Sequence, residues 1–148
     1  SVPLSGDPLC VAARLVQEDL CLHEKRGQEH VLTAAVMCFP ASWTLHEKIG
    51  RPLSAVHRPV AEYDVDVAKR VQRLFDGIKP GRPMWRFNVL EYLRPDLFQP
   101  RSETDPRSGD EDYSHGAYIR SEHQALVRLP RSGAVLFAIH TYLIKKPA

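Results

Sequence analysis

Tyr118-Ile119-Arg120-Ser121-Glu122-His123-Gln124-Ala125-Leu126-Val127-Arg128-Leu129, followed by Pro130-Arg131-Ser132-Gly133 and then Ala134-Val135-Leu136-Phe137-Ala138-Ile139-His140-Thr141-Tyr142-Leu143-Ile144, is the stretch that decides the fold. Two runs rich in β-branched, aromatic and aliphatic residues flank a short segment punctuated by proline and glycine, which is the pattern of an antiparallel hairpin. Immediately upstream, the segment from Arg94 to His115 is rich in Pro, Asp, Ser, Gly and charge, and reads as a long mobile loop of the kind that serves as a lid or binding element. Before it, Pro83 to Tyr92 reads as a strand: Trp85, Phe87 and Val89 project to one side, Arg86, Asn88 and Leu90 to the other.

Further back, Val60, Val67, Ala68, Val71, Leu74, Phe75 and Ile78 recur at three- and four-residue spacing with Asp64, Lys69, Arg70 and Arg73 between them, an amphipathic helix closed by Gly77 and Pro80-Gly81. The preceding Arg51 to Val60 carries Pro52 and Pro59, so it is expected to be extended, with no regular helix until after Pro59. Ala41 to Gly50 reads as a short helical turn ending at glycine. At the start of the chain, Leu15–Leu22 and Val31–Phe39 read as paired strands joined by a polar turn from His23 to His30. Two strands, a short helix, a long helix and three more strands predict an α+β fold: an antiparallel sheet of about five strands with helices on one face.

The 148 residues suit a single domain, and 20 basic residues scattered among 18 acidic ones leave a net charge of only +2. That balance forms no basic run to track a phosphate backbone, so nucleic acid is not expected as a partner. No stretch approaches the ~20 continuous apolar residues of a membrane span, and the opening lacks the regions of a secretory signal. A start without methionine and an end directly after an apolar run lead us to expect residues 1–148 to be the core of a longer chain. Cys10, Cys21 and Cys38 form no C-x-x-C pair and no C-x-x-C-H haem-attachment motif; buried, inert thiols in a cytoplasmic protein are the expectation.

Chemistry rests mainly on the histidines, because the cysteines, serines and glycines match no catalytic or phosphate-binding template. His23, His30, His46 and His115 lie in polar or loop contexts and are expected to be solvated, while His123 and His140 lie in strands and can line a sheet face, as hydrogen-bonded filler more often than as ligands. His57 differs, since Pro52 and Pro59 brace its loop and its neighbours are Ala55-Val56 and Arg58-Pro59-Val60. Two readings stand for it: a packed structural side chain, or an axial metal ligand whose second ring nitrogen is fixed by a hydrogen bond. Arg86 and Asn88 on one strand, with Arg120, Glu122 and Gln124 on another, form a second group. Period-two spacing keeps each set on one side, as either a solvated face with ordinary ion pairs or a polar pocket.

Several blocks in order carry a resemblance: Ala12 to Cys21, Cys38-Phe39-Pro40-Ala41-Ser42-Trp43, Glu47 to Leu53, Val56-His57-Arg58-Pro59-Val60, Arg82-Pro83-Met84-Trp85-Arg86-Phe87-Asn88, Arg120 to Pro130 and Gly133 to Tyr142. Together they resemble the haem-containing subunit of the haem-dependent oxidative N-demethylase family, also described for dimethylamine monooxygenase. The resemblance implies a PAS-like fold binding haem b, with His57 on the iron and oxidative removal of a methyl group from a small amine using O2, releasing formaldehyde. It implies reducing equivalents from NADPH through partner subunits carrying FMN and a 2Fe-2S cluster. Glu122, Arg86 and Asn88 are then expected at the reacting amine, and Arg86 and Arg120 at the cofactor. His140, where the family pattern has arginine before the threonine, and His123, where it has arginine after the glutamate, are departures that would alter contacts to the haem propionates. A non-catalytic haem sensor or PAS-like interaction module is the alternative, and a haem-free interaction domain is a further one.

Overall fold

The computed structural model of the chain describes residues 3–57, 64–105 and 116–147. The C-terminal hairpin forms as β4 (Tyr118–Arg128) and β5 (Val135–Lys145), with Glu122 opposite Thr141 and Leu126 opposite Phe137. Gly133 completes the turn at φ 72°, a left-handed backbone conformation that glycine adopts without steric cost. Arg128 locks this end: its guanidinium donates to the carbonyls of Gly133, Phe75 and Ile78, each at 2.5 Å.

β3 (Met84–Tyr92) pairs antiparallel with β4, setting Arg86 opposite Gln124 and Asn88 opposite Glu122. On the other side of β5 lies β1 (Asp19–Arg26), which pairs in turn with β2 (Glu29–Val36). The result is a five-stranded antiparallel sheet in the order β2-β1-β5-β4-β3, with the last strand in the chain at its centre. The fold is thus α+β, as the order of elements predicts.

The first hairpin departs from expectation in extent. His23, Glu24, Lys25 and Arg26 continue β1, while Glu29 and His30 begin β2, and Lys25 faces His30. Only Gly27 and Gln28 are left for the turn, with Gly27 at φ 62°. A tight turn with a left-handed glycine matches the strand twist, so the ladder runs through residues whose polarity suggests a loop. A register shift between Leu22 and His23 leaves Thr33 without an opposite residue, a bulge that re-aims the following side chains.

Four helices complete the described chain. α1 (Pro8–Ala13), which the sequence reading omits, is capped by Asp7, whose carboxylate accepts from the Leu9 and Cys10 N–H groups. α2 (Leu45–Lys48) forms within the expected Ala41–Gly50 turn. α3 (Leu53–Val56) is a correction to the extended loop expected there: Pro52 sits just ahead of the first turn, where a missing N–H costs nothing. α4 (Val65–Gly77) begins at the Asp64 cap, whose carboxylate accepts from the Val67 N–H at 2.8 Å; the expected start at Val60 lies outside the described residues. The part of the expected mobile loop that is described, up to Asp105, is anchored instead. Gln99 donates to the Pro40 carbonyl and accepts from the Ser42 N–H, at 2.9 and 2.8 Å.

α3 and α4 set the core against the hairpin end of the sheet, where Leu53, Phe75, Ile78, Leu126 and Val135 pack together with Val71 and Phe137. Moving along β4 on the same face, Leu126 gives way to Gln124, Glu122 and Arg120. The sheet face therefore passes from an apolar end under the helices to a polar end beyond them. On the opposite face of β3, the alternating apolar residues are exposed, Trp85 by 66% and Val89 by 62%.

Candidate functional site

The register of β3 and β4 brings four of the expected polar residues into one hydrogen-bonded group. Asn88 and Glu122 face each other and bond twice: the Asn88 amide donates to Glu122 Oε2 at 3.0 Å, and Asn88 Oδ1 accepts from the Glu122 N–H at 3.0 Å. Gln124 Nε2 donates to the same carboxylate oxygen at 3.0 Å, and Arg86 Nε donates to Gln124 Oε1 at 2.7 Å. The Glu122 side chain, only 12% exposed, therefore accepts two neutral donors and has the Arg120 guanidinium 3.5 Å from its other oxygen. Desolvation strengthens such contacts, because an ionised acceptor loses water it must replace.

Arg120 is built into the protein more deeply than an arginine reaching toward a cofactor. It is 2% exposed, and its guanidinium donates to the carbonyls of Leu97 at 3.0 Å and Phe39 at 2.6 Å and to Thr141 Oγ1 at 3.4 Å, over the Tyr92 ring. The neighbouring Asp19 accepts from the Cys38 and Phe39 N–H groups at 2.6 and 2.9 Å. Burial raises the Asp19 pKa, against the opposing pull of those two backbone donors and Arg120. Asp19 and Arg120 together hold the chain at Phe39 from both sides of its peptide groups.

His57 follows directly on α3 and is the residue that caps it. Its backbone N–H and its ring Nδ1 both donate to the Leu53 carbonyl, at 3.1 and 2.9 Å. A carbonyl only accepts, so Nδ1 carries the proton and Nε2 carries the lone pair in this tautomer. Burial lowers the His57 pKa, and the charges of Lys48 and Arg86 lower it further. A neutral imidazole of fixed tautomer, electrostatically linked to Arg86 of the polar group, has the donor character that a metal-bound histidine requires.

The remaining histidines divide in a way that local sequence conceals. His23 and His30, expected to be solvated, are 4% and 0% exposed, and both rings lie against Phe75 with centroids at 5.4 and 5.2 Å. Gln72 Nε2 donates to His30 Nδ1 at 2.7 Å, while His23 Nδ1 and His30 Nε2 are buried without a hydrogen-bond partner among the described residues. Burial pushes the His23 pKa down to about 4, with His30 and His57 adding to the shift. The signal was periodicity: Asp19, Cys21 and His23 alternate onto one face of β1. His46 is exposed as expected, and His115 lies outside the described residues. His123 and His140 face each other across β4 and β5 on the side away from Glu122. His123 stacks with Trp85 and Phe87, and His140 with Tyr142.

Among the described residues, no group of three or more His, Cys, Asp or Glu side chains converges as a metal site. Cys21 is buried, its thiol pushed up to about 12 by burial and then by Asp19; Cys10 and Cys38 are exposed, which corrects the expectation of three buried thiols. Their segments, a capped surface helix and the stretch that follows β2, leave them at the periphery. An open groove of about 630 Å³ lies elsewhere, between α1, α2 and the outer edge of β2, lined by residues that include Leu9, Cys10, Leu45, His46 and Ile49. It includes none of the Glu122 group. Among the described residues, no helix is long and apolar enough to cross a membrane.

A family model described as haem-dependent oxidative N-demethylase, alpha subunit-like, matches residues 1–146.

Proposed function

Because the chain belongs to the haem-dependent oxidative N-demethylase, alpha subunit-like family, we propose that it is a PAS-like unit that binds haem b through His57 and demethylates a small methylated amine. The observation that carries this reading is the Nδ1 hydrogen bond from His57 to the Leu53 carbonyl at 2.9 Å, which presents the Nε2 lone pair of a neutral ring. That is the arrangement by which a protein orients an imidazole ligand and raises its basicity. The strand order β2-β1-β5-β4-β3 supports the PAS-like assignment.

Bound haem supplies the redox and oxygen chemistry. The protein's share lies in the Glu122 group. A small secondary amine is protonated at neutral pH, and the Glu122 carboxylate pairs with that ammonium and accepts its proton, releasing the nitrogen lone pair for oxidation. Asn88 and Gln124 keep the carboxylate oriented while this happens. Arg86, linked through Gln124, is the cationic contact for a haem propionate, and buried Arg120 takes part from behind by fixing the second oxygen of Glu122. The overall change consumes one O2, two electrons and two protons, giving the demethylated amine, formaldehyde and water. The electrons come from NADPH through reductase subunits that carry FMN and 2Fe-2S, and the assembly is cytoplasmic.

Haem titration followed by absorption tests the first step. A sharp Soret band in the wild type that shifts or weakens in His57→Ala supports the axial assignment, and an identical band in both removes it. Formaldehyde release from dimethylamine or a related methylated amine, with a reductant present, tests the second step. Haem binding without formaldehyde would favour a sensor module over an enzyme.

A further inference from the structure

We propose that Lys48 is a positioning residue for His57, tying the carbonyl immediately before that histidine to the segment around Glu103 and so setting the direction of the imidazole. Lys48 closes α2 and is 4% exposed, although it ends in a primary ammonium. A buried charge of this kind persists only when its donors are matched. Lys48 Nζ donates to the Val56 carbonyl at 2.7 Å and to the Glu103 carboxylate. Arg51 adds a second cation 3.5 Å from Glu103.

The grip on this segment is double. Glu47, next to Lys48, accepts from Ser102 Oγ at 2.6 Å, from the Glu103 N–H at 3.1 and 3.2 Å, and from Thr44 Oγ1. Those contacts, led by the Ser102 hydroxyl, hold the Glu47 pKa down to about 2. α2 thus fixes residues 102–103 through one side chain and relays their position to Val56 through the next.

The Val56 carbonyl matters because α3 is only Leu53–Val56. A single helical turn has too few internal bonds to hold its own end, and its last carbonyls have no intrahelical partner. Lys48 supplies that partner at the helix C-terminus, where a cation is also favoured by the helix dipole. His57 then receives two restraints: Leu53 fixes the ring and Lys48 fixes the peptide plane from which the ring departs. The consequence for haem rests on the axial reading of His57; the positioning itself does not.

The experiment compares wild type, Lys48→Met, Lys48→Arg and His57→Ala, with folding checked by far-UV circular dichroism. In the ligand-free protein, imidazole 15N spectra are expected to show His57 as one Nδ1-protonated tautomer in wild type, an averaged pair in Lys48→Met, and recovery in Lys48→Arg. In the haem-loaded protein, the ferrous iron–imidazole stretch is expected to vanish in His57→Ala and to shift in Lys48→Met, whose haem affinity falls about 10- to 100-fold. Folded Lys48→Met with wild-type His57 nitrogen shifts overturns the proposal. An iron–imidazole stretch that survives in His57→Ala overturns the axial reading alone. If Lys48→Met does not fold, Glu103→Gln keeps the ammonium and weakens its tie to the segment together with that of Arg51; unchanged His57 nitrogen shifts in that variant overturn the proposal equally.

Discussion

Asn88 and Glu122 hold each other in both directions across the β3–β4 ladder, side chain to carboxylate and backbone N–H to side chain, each at 3.0 Å. Neither bond depends on a loop. Both strands are braced by continuous pairing from Met84–Leu126 to Tyr92–Tyr118, so the carboxylate is placed by the sheet itself. Sites built on regular elements hold their geometry better than sites built on loops.

Removing the charge but not the shape separates proton acceptance from placement. Glu122→Gln is expected to keep haem binding and lose formaldehyde release by roughly a hundredfold or more, the range of a lost general base. Asn88→Ala leaves the carboxylate in place but less well directed, and a loss of about tenfold to a hundredfold is expected from misplacement. Formaldehyde assays beside haem titration of the same samples check both, and a Glu122→Gln protein that demethylates normally removes the proposed acid–base role.

Half of this convergence was legible in the sequence: period-two alternation fixes which side of a strand a residue takes, while a solvated face and a polar pocket both stayed open. Arg86, Asn88, Glu122 and Gln124 needed only adjacent strands in the right register to meet, and the C-terminal hairpin was marked by two strand-length segments around the Pro130-to-Gly133 turn. Burial of His23 was signalled only by its alternation with Asp19 and Cys21, and that of His30 not at all, since it depends on Gln72 and Phe75, which α4 brings back from more than forty residues away. The same holds for the anchoring of Gln99 on Pro40 and for Lys48 with Glu103. α3 escaped for a different reason: two prolines argue for extension, yet Pro52 is the cap residue just ahead of the first turn, where its missing N–H breaks no helical bond.

Arg120 illustrates a charge whose role is structural before it is chemical. Its side chain is 1% exposed and meets two backbone carbonyls and Glu122, so Arg120→Ala removes a buried donor from all three. A cost of about 3 kcal/mol is expected. For a chain of this size that lowers the melting midpoint by roughly 6–12 °C. Arg120→Lys, which keeps charge but not the planar fork, should recover only part of it. Calorimetric melting of the three proteins checks this; a shift under about 2 °C for the alanine variant would contradict the burial argument.

Asp64 starts α4 by accepting from the Val67 N–H at 2.8 Å. Asp64→Ala is expected to cost about 1 kcal/mol and Asp64→Ser nearly nothing, because serine caps as well as aspartate. Urea unfolding with a common slope measures the difference, and equal midpoints for all three would show that the cap is not limiting.

His23 makes the fold sensitive to acid, and the sign follows from its pKa. Burial lowers it from 6.5 to about 4, so between those values the unfolded chain binds a proton at this position that the folded chain refuses. Stability is therefore full above pH 6.5, falls as pH drops toward 4, and levels below that value. The whole step is worth roughly 3 kcal/mol. His30, also lowered by burial, adds to the loss in the same direction. Protonation would also place a charge beside the Phe75 and Phe137 rings, where the backbone hydrogen bonds to Cys21 and Val135 only partly offset the cost of burial. His23→Phe has a similar shape and no titrating nitrogen, and it removes the unpartnered Nδ1 from the core. Urea midpoints measured at pH 7.5 and pH 4.5 should fall steeply with acid in wild type and clearly less in His23→Phe. Equal acid sensitivity in the two proteins would assign the loss to His30 and the carboxylates instead.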